Sequence, residues 1–175
     1  METAFEHILV NSYKADLVSY IHAHPEDFEE AIKLAVADKQ PYSWRAAWSL
    51  WSCIQENDKR IQVYFNEIIS ALTSKKDDHQ RELLKILLKM ELNEEYEGIL
   101  FNICSGVWEK INKKPSVRLT ALKIIVKIVK QHPDLSHEII FLTQSQYMDS
   151  LSPAVKKSVS KMIKEFIHVS VRSNG

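Results

Sequence analysis

The chain has 175 residues, 45% of them hydrophobic and 26% charged, which supports one globular domain with a sizeable core. Its 23 basic and 23 acidic residues cancel, so net charge alone predicts neither a polyanionic nor a membrane partner, and no apolar run approaches the ~20 residues of a bilayer span. Three glycines and five prolines are too few for a domain rich in tight turns or phosphate-cradling loops.

The first predicted element is a helical segment over 3–23, opened by Thr3 and Glu6 in capping-box spacing. The acidic start METAFEHILV lacks a basic-then-apolar leader pattern. Cys53 and Cys104 both fall in helix-patterned stretches, so a reduced, cytoplasmic protein with two buried thiols is expected.

Beyond residue 23 the chain repeats. HPEDFEEAI begins at His24 and HPDLSHEII at His132, 108 residues on, which is three times 36. NDKRIQVYF from Asn57 and NEEYEGILF from Asn93 have the same character and lie 36 apart. Each is a polar capping stretch followed by apolar residues at helical spacing, such as Ile61, Tyr64, Phe65, Ile68, Ile69 and Leu72. A second series interleaves: SWRAAWSLW, HQRELLKILL, SVRLTALKII and AVKKSVSKMI. Aligned on their basic residue, they place Arg45, Arg81, Arg118 and Lys156 at spacings of 36, 37 and 38. Asp78, Pro115 and Pro153 stand three residues upstream in the last three, where helices start. The predicted pairs are 26–38 with 42–56, 59–74 with 78–91, 94–111 with 115–131, and 134–148 with 152–168, followed by a tail over 169–175.

A period in the upper thirties, two helices per unit and a basic residue recurring early in the second helix resemble the HEAT and armadillo-like α-solenoids, including small bacterial HEAT-like proteins. The resemblance covers residues 24–168 and implies one all-α superhelix of about four helix pairs behind an N-terminal helical cap at 1–23. Each unit then buries its apolar face against its neighbours. In that family the second helices line the concave face. The resemblance also implies a binding role, with a protein or peptide as the partner.

Trp44, Trp48 and Trp51 are spaced i, i+4, i+7 on one helix face. Trp48 and Trp51 align with Leu84 and Leu87, Ala121 and Ile124, and Val159 and Met162, so both are expected to pack in the core. Trp44 aligns with Gln80, Val117 and Val155; it either caps the core or offers its ring to a stacking partner. The ladder Arg45, Arg81, Arg118 and Lys156 lies at the edge of each apolar stripe, where a long stem covers core while the head pairs with an acid or carbonyl of a neighbouring repeat.

Lysines form rows opposite the apolar stripes: Lys85 and Lys89, then Lys123, Lys127 and Lys130, then Lys157, Lys161 and Lys164. Residues 1–109 hold 11 basic and 19 acidic residues, a balance of −8, while 110–175 hold 12 and 4, a balance of +8. That dipole steers anions, nucleic-acid phosphates among them. Solvation of helix faces, or association of opposite ends of two copies, accounts for the same pattern.

Catalysis finds little support. His24 and His132 occupy equivalent His-Pro starts and suit turn or capping roles. His22-Ala-His24 and His137-Glu138 lack the further ligands of a zinc site, and no cofactor motif appears. DNA glycosylases on HEAT-like scaffolds combine a basic groove, aromatics and a catalytic acid. Here the aromatics and lysines cluster on different helices, and Glu82 is isolated. Gly98 and Gly106, eight apart on one helix, either permit close helix approach near Tyr96 and Trp108 or weaken the helix beside a pocket. The sequence therefore predicts a non-catalytic binding module without metal or cofactor, with sequence-nonspecific nucleic-acid binding as the alternative and an enzyme of the DNA alkylation-repair type, through the shared fold alone, a distant third.

Overall fold

A computed structural model describes residues 1–173 and the side chains of residues 1–167. All secondary structure among the described residues is helical. The chain divides into two compact units, Met1–Glu91 and Leu92–Gly175. Unit 1 contains α1 (Ala4–Asn11), α2 (Lys14–Ala23), α3 (Phe28–Val36), α4 (Tyr42–Cys53), α5 (Lys59–Gln62), α6 (Phe65–Leu72) and α7 (Asp77–Leu88). Unit 2 contains α8 (Glu94–Glu109), α9 (Pro115–Gln131), α10 (Ser136–Leu142), α11 (Ser145–Met148) and α12 (Pro153–Ser173). The expected tail is thus helical as far as Ser173, and residues 174–175 lie outside the described residues.

The pairing read from the repeats is present within the units: α3 packs on α4, α6 on α7, α8 on α9, and α10 on α12. Three expected helices are broken. The 3–23 segment divides at Ser12 and Tyr13, both extended, where Asn11 and Ser12 favour local polar bonding over helix. The 59–74 segment divides into α5 and α6. The 134–148 segment becomes a 3-10 turn (Pro133–Leu135), α10 and α11. There the Thr143 hydroxyl donates to the Ile139 carbonyl at 2.7 Å and competes with continued helix.

Local rules hold where the sequence announces them. Thr3 and Glu6 form the reciprocal capping box. His24 and His132 are C-caps of α2 and α9, with φ/ψ of −123/69 and −129/76, each followed by a proline-led 3-10 turn. The two histidines therefore close helices, in the same conformation, in both units.

Helix C-termini pose a harder problem. The usual device is a left-handed glycine after the last turn, and no glycine among the described residues has positive φ. Terminal carbonyls are met instead by side chains from other helices and the turns between them. Arg45 donates to the Leu9 carbonyl and, at 2.8 Å, to the Ser12 carbonyl at the end of α1. Lys75 donates to Ala37 at 2.8 Å and His79 to Ala35 at 2.7 Å, both at the end of α3. Lys89 closes α4 through Trp51 (2.7 Å) and Ile54 (3.1 Å), and Gln80 closes α6 through Leu72 (2.8 Å). In unit 2, Arg118 donates to Trp108 at 2.8 Å and Tyr147 at 2.6 Å, the ends of α8 and α11, while the Trp108 indole donates to Leu142 at 2.6 Å, the end of α10. A cation at a helix C-terminus also complements the helix dipole.

The four ladder positions differ in what they meet. Arg118 is 1% exposed, with its guanidinium 4.7 Å from the centre of the Trp108 ring. Arg45 caps α1 as described. Arg81 pairs within its own helix, 3.0 Å from Glu82 and 4.0 Å from Asp78. Lys156 is half-buried, at the start of α12.

The glycine expectation is corrected in one respect. A Cβ built on Gly98 or Gly106 meets nothing within 4 Å, so neither serves close helix approach.

Replacing Arg118 by methionine strands two carbonyls, and a loss of about 3 kcal/mol is expected. Lysine does not rescue it, because one ammonium cannot reach three acceptors in a fork geometry. Lys156→Met, at the aligned position, is expected to change stability by less than about 0.5 kcal/mol. Urea unfolding followed by circular dichroism measures both.

Candidate functional site

The lysine rows separate once their neighbours are known. Lys85 donates to Glu82 at 2.9 Å and stands 4.0 Å from the Trp51 ring centre. Lys89 is spent on the α4 carbonyls and lies 4.7 Å from the same ring. Lys127 is half-buried and engaged. Lys130 reaches across from α9 to α12 and pairs with Glu165 at 3.1 Å. Lys123 on α9 and Lys157, Lys161 and Lys164 on α12 remain: all four are exposed, and among the described residues none has a hydrogen-bonding or ionic partner. The Lys130–Glu165 pair joins the end of the α9 row to α12 within unit 2.

The tryptophan expectation is corrected. Trp44, Trp48 and Trp51 are all half-buried, whereas Leu84 and Leu87, aligned with the last two, are fully buried. The face of α4 that enters the core is made of small residues, Ser43, Ala46, Ala47 and Ser49, with Leu50 and Cys53. These let α4 pack closely on α1, α2, α3 and α7, and that leaves the bulky indoles at the rim. Trp44 stacks on Trp48, with centroids 5.7 Å apart and planes 13° from parallel. Lys14 and Arg45 stand 4.8 and 5.5 Å from the Trp48 ring. With Lys85 and Lys89 over Trp51, the indole faces are covered by the protein's own cations.

Glu82 is not isolated. It is 1% exposed and compensated by Arg81 and Lys85, so it holds charge balance on α7. A cavity of about 300 Å³ lies beside Trp44, lined also by Asp38, Gln40, Ser74 and His79. The Trp44 indole N–H is buried without an acceptor among the described residues. His79 is held neutral: it donates to Ala35 and accepts from Gln40 at 3.0 Å, and burial pushes its pKa down.

Unit 2 has a second histidine of opposite character. His132 sits 2.6 Å from Glu97, and that hydrogen bond raises its pKa. The pair flanks a groove of about 380 Å³ between α8, the end of α9 and the start of α10. Nothing in the composition marked this groove, although one clue was available: Glu97 and His132 are 35 residues apart, one repeat. The same separation recurs in Arg45 to Leu9 (36), Lys75 to Ala37 (38) and Trp108 to Leu142 (34).

Both cysteines are free and buried, and burial pushes both thiols up, that of Cys53 to about 11. Among the described residues no group of three potential metal ligands occurs, and no helix is long and apolar enough to cross a membrane.

The two histidines give opposite pH signatures. The ion pair of His132 contributes stability that is present below the ordinary histidine pKa and is lost as pH rises through the raised value. His79 disfavours protonation, so its burial costs stability as pH falls below the ordinary value. Imidazole resonances followed by NMR should titrate above the ordinary range for His132 and below it for His79, and Glu97→Gln should return His132 toward normal without moving His79.

No curated protein and no solved structure matches the chain. The HEAT repeat domain family matches residues 3–166, a range that includes the N-terminal helices α1 and α2 as well as the later pairs. With that match over most of its length and helix pairs recurring through both units, the chain belongs to the HEAT repeat domain family.

Proposed function

We propose that the protein is a non-catalytic binding module whose exposed α9–α12 surface docks an acidic protein or peptide. One observation carries the reading: Lys123 on α9 and Lys157, Lys161 and Lys164 on α12 are exposed, and among the described residues none is paired with an acid. Structural lysines in this chain are drawn onto carbonyls or carboxylates, as Lys75, Lys89 and Lys39 are. Ile167, three residues beyond Lys164 and 47% exposed, adds an apolar anchor beside the charges. Interfaces between proteins combine such anchors with a charged rim.

Nucleic acid is the second reading. It is favoured by the spacing of Lys157, Lys161 and Lys164, which makes an uninterrupted basic row on one side of α12. The Trp44–Trp51 face is not part of either reading, because its rings are already stacked or capped by cations.

Fluorescence anisotropy with two labelled probes, a decapeptide alternating glutamate and leucine and a short DNA duplex, tests the proposal. Peptide binding at low salt is expected to weaken about tenfold or more when Lys123, Lys157, Lys161 and Lys164 become glutamate. It should also weaken in Ile167→Asp. DNA binding that is linear in log–log salt and indifferent to Ile167→Asp would establish the second reading instead. Binding of neither probe overturns both.

A further inference from the structure

We infer that the unit 2 groove beside His132 is a receptor for an arginine- or lysine-bearing segment of a partner protein, a site separate from the lysine surface and opposite to it in sign. Its lining combines apolar Phe101, Ile128 and Leu135 with the carboxylates of Glu94 and Glu138 and the Glu97–His132 pair. A side chain that fits such a place needs an apolar stem several carbons long and a cationic tip. Arginine and lysine alone among the ordinary side chains combine the two.

Gly98 supports the assignment independently. It stands inside the 16-residue helix α8, where glycine disfavours helix, and a Cβ there would meet nothing within 4 Å. Packing therefore does not require it. Gly98 does line the groove, so the missing side chain leaves open space beside its apolar lining. Gly106 has the same freedom but stands away from the groove, which makes it a matched control.

Glu97 is engaged by His132, and Glu138 lies 3.1 Å from His137. The three carboxylates outnumber the two imidazoles beside them, so the groove keeps a net negative charge. Unit 1 supplies an internal comparison: Glu26, Glu29 and Glu30 gather on its surface around Lys33 with only Leu34 as apolar lining. That patch offers charge with little apolar lining for the stem.

The test is a two-dimensional NMR titration of the full chain with Nα-acetyl-arginine amide in the millimolar range. Saturable shifts centred on Gly98, Phe101 and His132 are expected, with Nα-acetyl-norleucine amide and Nα-acetyl-glutamate amide producing none of comparable size. Glu94→Gln with Glu138→Gln should weaken binding roughly threefold or more. Gly98→Leu should abolish the shifts, while Gly106→Leu leaves them intact. Equal shifts from the norleucine compound overturn the cationic assignment. Shifts as large around Glu29 and Glu30, an absence of shifts, or binding that survives in a folded Gly98→Leu protein would overturn the groove itself. If Gly98→Leu does not fold, the glutamate-to-glutamine pair decides.

Discussion

Each helix leaves its last carbonyls without intrahelical partners, and in this chain the customary remedy is missing. Among the described residues no glycine takes up the left-handed conformation that would close a helix on itself. The carbonyls are satisfied by side-chain donors carried on other parts of the fold: Arg45, Lys75, His79, Gln80 and Lys89 in unit 1, Arg118 and Trp108 in unit 2. Several of these donors sit about one repeat from the carbonyl they serve. Finishing one helix thus requires another in place, and the dependence of each repeat on its neighbours is polar as well as hydrophobic. The burial of Arg118 follows: a guanidinium with two backbone acceptors, a hydroxyl at 3.3 Å and an indole face can leave water.

This use of cations also determines where function can reside. A lysine or arginine committed to a helix end or a buried carboxylate has little left for a ligand. Lys85 and Lys89 belong to that class, and they also cover Trp51. What survives is a smaller basic surface on α9 and α12 and an anionic groove beside it in sequence, both within unit 2. The opposite signs of these two places suit a partner with charges of both kinds, or two partners.

Much of the architecture was legible because repeats constrain a sequence redundantly. The His-Pro pair at 24 and 132, the capping box at Thr3 and Glu6, and prolines 115 and 153 each mark a terminus by a local rule, and the structure has a terminus at each. The broken helices were less legible. α5 and α11 have only four residues each, too short for a periodic pattern to mark, and α10 ends at Thr143, whose hydroxyl bonds back to Ile139.

What the sequence determined by itself was the helical class, the repeat period and the family, since periodicity and capping are local properties written in residue order. Only the tertiary structure decided which residues face solvent within that frame. Trp48 and Trp51 share an alignment column with buried leucines, yet α4 enters its neighbours through alanine and serine, and an indole cannot follow where a leucine fits. Glu97, Gly98 and His132 are unremarkable along the chain and meet at one groove because α8 and α9 lie side by side. Exposure and proximity are set by packing between elements, and no window of sequence contains both sides of a contact.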